Sequence, residues 1–113
     1  MTKPLRFVIL EHNHPMLHWD LMLESENALR TWRLLEEPGI GKSVSSEPLA
    51  DHRIEYLDYE GPVSGNRGVV KQWAGGTFEW LGDEKNSVQV KLSSVRILSV
   101  LTIEDTSANF REV

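Results

Sequence analysis

The sequence predicts an all-β fold of short strands joined by turns, arranged as a barrel or a sandwich. Three observations point there. About eight stretches rich in aliphatic, β-branched and aromatic residues follow one another along the 113 residues. Turn-forming clusters separate them, among them Ser25-Glu26-Asn27, Ser64-Gly65-Asn66, Ala74-Gly75-Gly76 and Gly82-Asp83-Glu84-Lys85-Asn86. Between residues 17 and 24, Leu17, Trp19, Leu21 and Leu23 alternate with His18, Asp20, Met22 and Glu24, the period of two expected of a half-buried strand.

Taken in order, the first strand covers 5–12 and places Arg6, Val8, Leu10 and His12 on one face. Pro15 interrupts it, so the chain turns between Asn13 and Met16 and the second strand, 17–24, pairs back antiparallel. A turn at 25–27 leads into 29–35. Ala28, Leu29, Trp32 and Leu35 could also form a helical stripe there, but a strand follows the hairpin turn more naturally. Residues 37–49 form the longest irregular piece, with Pro38, Gly39, Gly41 and Pro48 around a Ser-rich middle. A loop of that length is a candidate lid or substrate loop, or a simple connection. Further strands are expected at 52–60, 68–73, 77–81, 88–92 and 95–103, with a tight turn at Gly75-Gly76 and a polar tail, 105–113, that frays.

Size and charge bound the function. The length is that of one domain, 1–113, able to form a core without staples. Cysteine is absent, which excludes disulfides, thiolate nucleophiles and Cys-ligated zinc and leaves His, Asp and Glu as metal ligands. Met1-Thr2-Lys3-Pro4 carries no secretory pattern and no apolar run is long enough for a membrane span, so no membrane association is expected and the cytoplasm is the default compartment. A net charge of −5 argues against coating a nucleic-acid backbone but leaves room for one phosphate at a strand end.

Two clusters carry chemistry. His12, His18 and Asp20 lie within nine residues, and the hairpin brings them together on one face, enough for a mononuclear divalent-metal site. A lone His is more often a hydrogen-bonded structural residue, so spacing alone leaves the site an even choice; His14, in the turn, is a weaker candidate. In the second cluster His52 and Tyr56 stand two steps apart on one face of an extended chain, suited to gripping a phosphate oxygen or protonating a leaving group. The alternative is a core tyrosine and a turn-capping histidine. Two histidines and a carboxylate are also the donors of non-haem iron oxygenases, with His52 then required as third ligand, but the chain leaves little room for a cosubstrate pocket.

Phe7-Val8-Ile9, Glu11-His12, Leu17-His18-Trp19-Asp20 and Leu23-Glu24 together resemble the opening motif of the 3′-phosphoesterase domain of bacterial DNA ligase D. The likeness continues through Leu29-Arg30-Thr31-Trp32, Asp51-His52, Tyr56, Asp58-Tyr59-Glu60-Gly61, Gly65-Asn66, Gly68-Val69-Val70, Trp73, Gly76-Thr77-Phe78, residues 88–92 and Arg96-Ile97-Leu98. The resemblance implies a compact β-barrel that trims 3′ ends in DNA repair, removing a terminal ribonucleotide's nucleoside and then the 3′-phosphate. It implies manganese, with zinc or another divalent ion also suited, on His12, His18 and Asp20, and His52 and Tyr56 against the phosphate. The implied partners are nucleic-acid 3′ ends and a ligase or polymerase of an end-joining system. Two departures stand out. Met22 occupies the place where the family has a phosphate-binding arginine, and residues 43–50 lack the family's charged residues. Arg30, Arg33 and Arg53, with Arg67, are the candidates to compensate. Without compensation the chain is instead a metal-binding module, catalytically weakened or inactive, that recognises nucleic-acid ends or another phosphorylated ligand.

Overall fold

The structure is a computed structural model describing residues 3–113; Met1 and Thr2, part of the expected leader-free start, lie outside the described residues. Nine strands follow in chain order: β1 Leu5–His12, β2 His18–Ser25, β3 Ala28–Leu34, β4 Ser43–Arg53, β5 Gly61–Pro62, β6 Val69–Glu84, β7 Ser87–Ser93, β8 Leu98–Glu104 and β9 Ser107–Arg111. Every pairing is antiparallel. The order is β1-β2-β3-β4-β9-β8-β7-β6-β5, and β1 also pairs with β6. Eight strands therefore close into a ring, and β5 is appended to β6. Closure removes the unpaired edges that an open sheet would expose. Among the described residues no helix is long and apolar enough to cross a membrane.

Alternation fills the ring. Phe7, Ile9, Leu21, Leu23, Leu92, Leu101 and Phe110 are buried in one cluster to which β1–β4 and β6–β9 all contribute. The opposite face of β1 and β2 is covered too. Val8, Leu10, Met22, Leu29 and Val70 form a second cluster with Leu57, packed over by Ile54, Tyr56 and Val63. This corrects the half-buried reading of the second strand: His18, Asp20 and Met22 face away from the ring interior as the alternation requires, yet all three are buried. Leu17, expected in the core, is exposed and precedes β2.

Four further expectations change. Much of the 37–49 loop is strand, since β4 starts at Ser43; Pro48 lies beyond the three residues that pair with β9, where β4 has an open edge that tolerates its missing N–H. The strand expected over 52–60 ends at Arg53 and gives way to a 3₁₀ turn, Ile54–Leu57. Ile54 and Leu57 eclipse at that spacing and both enter the second cluster. The expected break at Gly75-Gly76 is the middle of β6, where the glycines pair with Val8 and Phe7. The tail does not fray: β9 closes the ring, with Ala108 and Phe110 fully buried.

The covering segment is tied down at its rim. Arg6, on the same face of β1 as Val8 and Leu10, donates to both oxygens of Asp58 at 3.1 and 2.6 Å. That hydrogen bond, opposed by desolvation and aided by the Arg6 charge, holds the Asp58 carboxyl below its usual range.

Candidate functional site

The β1–β2 hairpin builds the site. His12 and His18 stand opposite each other in the ladder, and Asp20 follows on the same face of β2. The two rings lie 4.8 Å apart, and one donor atom from each of His12, His18 and Asp20 falls within 4.8 Å of the others. The sequence-predicted pairing of the first two strands is what brings them together.

The far nitrogen of each ring is already engaged. His18 Nδ1 donates to the Met16 carbonyl at 2.9 Å, and His12 Nε2 donates to the Arg67 carbonyl at 2.8 Å. A carbonyl only accepts, so these nitrogens carry protons. In the neutral rings His18 Nε2 and His12 Nδ1 are left with lone pairs. Both face one carboxylate oxygen: Asp20 Oδ2 is 3.1 Å from His18 Nε2 and 3.4 Å from His12 Nδ1. Three acceptors turned toward one another, with His18 and Asp20 buried and His12 half-buried, call for a shared cation, either a proton or a metal. Asp20 Oδ1 is buried with no partner among the described residues, a further lone-pair acceptor. Carbonyls that fix ring tautomers are the usual support behind metal-ligating histidines. The donor set, two nitrogens and a carboxylate, therefore fits a divalent metal.

Protonation is the competing solution. Burial pulls the His18 imidazolium down, but hydrogen bonds to Asp20 and to the Met16 carbonyl, with the Asp20 charge, outweigh it; Arg33 opposes them. The net result is a His18 pKa above its ordinary value.

His12 and Asp20 open onto a cavity of about 460 Å³ lined also by His14, Arg33, His52, Tyr56 and Arg67. Arg33 lies across the ladder from Asp20, and its Nε is buried without a partner among the described residues. His52 donates from Nδ1 to the Ala50 carbonyl at 3.0 Å, which leaves Nε2 as its free nitrogen. Its ring meets Tyr56 edge to face, 5.7 Å between centroids. The two residues share this wall through the 3₁₀ turn rather than along one strand. His14 also lines the cavity, 6.5 Å from His12 but outside the three-residue cluster.

The other two candidate arginines are elsewhere. Arg30 faces the opposite side of β3, donates to Asp83 at 3.0 Å and stacks on Trp32 and Trp80. Arg53 lines a neighbouring pocket with Tyr56 and Tyr59. Met22 touches the cavity from the apolar cluster.

Sequence reasoning missed the main-chain carbonyls of Met16 and Arg67, because a backbone acceptor has no residue type to recognise. It also missed Asn13, whose Oδ1 accepts from the Val69 N–H at 2.8 Å and clamps the 13–17 turn to the start of β6. The available signal was Gly68. It has φ of +78°, and a Cβ there would lie 2.4 Å from Asn13 Oδ1.

Comparison with known proteins finds a family match over most of the chain. The family described as DNA Ligase D 3′-phosphoesterase domain matches residues 10–109. The multifunctional non-homologous end joining protein LigD of Pseudomonas aeruginosa is 28% identical over 93 residues, 78% of this chain and 11% of that protein. The proteins of that name from Mycobacterium bovis and, as a DNA repair protein, Mycobacterium tuberculosis are each 33% identical over 78 residues, 65% of this chain and 10% of theirs. The chain thus spans about a tenth of the length of these curated relatives. With the match running from the end of β1 into β9, the chain belongs to the DNA ligase D 3′-phosphoesterase domain family.

Proposed function

We propose that this protein is a divalent-metal-dependent phosphoesterase acting on nucleic-acid 3′ ends, removing a 3′-phosphate or a 3′-terminal ribonucleotide in DNA repair. The observation that carries the reading is the convergence of one ring nitrogen each from His12 and His18 on Asp20 Oδ2, in the cavity that Arg33, with its unpartnered Nε, also lines. His12, His18 and Asp20 would hold the metal, which we assign as Mn²⁺; Zn²⁺ also suits these donors. When bound, the ion supplies positive charge that offsets the phosphate's own.

The remaining steps belong to side chains. Arg33 donates to phosphate oxygens, replacing the arginine that Met22 does not provide. Tyr56 donates a hydrogen bond from its hydroxyl to a phosphate oxygen. As a water attacks phosphorus and the bond to the leaving oxygen breaks, His52, oriented by the Ala50 carbonyl, passes the Nε2 proton of its protonated form to that oxygen. Each such donor is worth roughly 10²–10³-fold in turnover where it meets developing charge. The family's 3′-phosphoesterase description supports 3′ ends as the substrate, and the relatives' end-joining names support a partner of an end-joining system, which we take to be a ligase or polymerase; we place this repair role in the cytoplasm.

The test is phosphate release from a 3′-phosphorylated oligonucleotide, and shortening of a primer with one terminal ribonucleotide, with Mn²⁺ added to chelated protein. Activity is expected for the native protein and not for His12→Ala, His18→Ala or Asp20→Ala. Absence of both metal binding and turnover in the native protein overturns the reading. Met22 favours a second reading, a metal-dependent binder of 3′ ends with weakened catalysis. Tight metal-dependent binding without turnover, together with turnover gained in Met22→Arg, would select it.

A further inference from the structure

We propose that the pocket beside the metal cavity is a nucleoside subsite, which receives the base of the nucleotide carrying the scissile phosphate. It rests on the phosphoesterase reading for the position of that phosphate.

The pocket, about 330 Å³, is lined by Arg53, Glu55, Tyr56, Tyr59, Pro62 and Val63. Tyr56 and Val63 line the metal cavity as well, so the two spaces share a wall. A phosphate held by Arg33, His52 and Tyr56 has its esterified sugar within reach of the space beyond Tyr56. That space offers what a base needs. Tyr59 meets Tyr56 edge to face, 5.7 Å between centroids and 89° between planes, and its hydroxyl donates to the Pro62 carbonyl. The bond fixes the ring, while 37% of Tyr59 stays exposed. A fixed, partly exposed tyrosine is a stacking surface for any base, because every base has a π-face.

Arg53 supplies the complementary charge. It is exposed, and among the described residues its side chain has no hydrogen bond or ion pair. A nucleoside in the subsite with its 3′-phosphate at the metal presents its 5′-phosphate toward this rim, where a guanidinium can grip it with two parallel donors. The same placement explains why Arg53, a phosphate-binding candidate by sequence, is not in the metal cavity: it serves the next phosphate along the strand.

The test uses full-length chain loaded with Mn²⁺ and short single strands ending in a 3′-phosphate. A terminal 2-aminopurine nucleotide is expected to lose fluorescence on binding, and the same base placed internally is not. By anisotropy, a base-bearing end should bind about tenfold more tightly than an abasic end, the scale of one stacked base. Tyr59→Leu should abolish that difference, Tyr59→Phe should keep it, and neither should alter affinity for inorganic phosphate. Equal binding of base-bearing and abasic ends, or equal loss in Tyr59→Phe and Tyr59→Leu, overturns the subsite. Turnover with equal binding sinks the subsite alone. Tyr59-dependent quenching without turnover on any 3′ end sinks the phosphoesterase reading and keeps the subsite.

Discussion

His18 concentrates the chemistry of this molecule in one titration. Its pKa is raised in the metal-free protein, so the protonated ring paired with Asp20 contributes stability that is fully present below the ordinary value of 6.5. That contribution is lost as pH rises through the raised value. A bound metal reverses the sign, because it needs the ring deprotonated. In thermal melts across this window the chelated protein should lose stability with rising pH while the metal-saturated protein gains it; a chelated protein with His18 titrating below 6.5 by NMR would contradict this. Met22 illustrates the other kind of residue. It is 1% exposed against Val8, Leu10, Leu29 and Leu57, so it acts by packing. Met22→Leu should cost less than about 1.5 kcal/mol, and Met22→Ala about 2–5 kcal/mol, in urea unfolding. The reverse ranking would mean that the thioether is not a core group.

At the scale of elements, β6 decides the shape. It runs from the appended β5 past the whole of β1 and on to β7, and it can do so because Gly76 lets backbones approach. A Cβ at Gly76 would lie 2.1 Å from the Ser93 carbonyl oxygen, which cannot move without shifting the ladder. Gly76→Ala should therefore cost on the order of 3 kcal/mol, the upper end for overpacking. Gly82, in the same strand, meets only Gln89 Cβ at 3.9 Å, so Gly82→Ala should be neutral or gain up to about 1 kcal/mol. Equal effects at the two positions would refute the close-approach account. In the sequence both glycines looked like punctuation, because a glycine demanded by a neighbour's backbone reads the same as one demanded by a turn. Other elements were more legible. The alternation of Ala108 and Phe110 with Ser107, Asn109 and Arg111 was there to be read as a strand, masked only by its place at the chain end.

For the whole molecule, the net charge of −5 sets how nucleic acid can be held. The cations around the two cavities are Arg33, Arg53 and Arg67, and Arg67 is partly occupied by Ser64. A grip on the terminus alone should release few counterions. With roughly three phosphates neutralised, the log–log salt slope of single-strand binding should be about −2. A slope several times steeper would mean a backbone-tracking surface, in conflict with the acidic exterior. The ring also separates stability from function. Its interior cluster draws on all eight closing strands and includes none of the candidate site residues, so changes at the site leave the core filled.

The sequence by itself determined the all-β class, the β1–β2 hairpin and the meeting of His12, His18 and Asp20. These follow from period-two alternation and a short turn, both local properties of the chain. The resemblance carried by its motifs added the family. Tertiary structure alone decided that the second face of β2 is buried, that Arg33 and not Arg30 reaches the cavity, and that a 3₁₀ turn brings Tyr56 to His52 at the end of β4. Each of those depends on what packs against a strand from distant parts of the chain, and periodicity can place a side chain on a face without saying what will cover it.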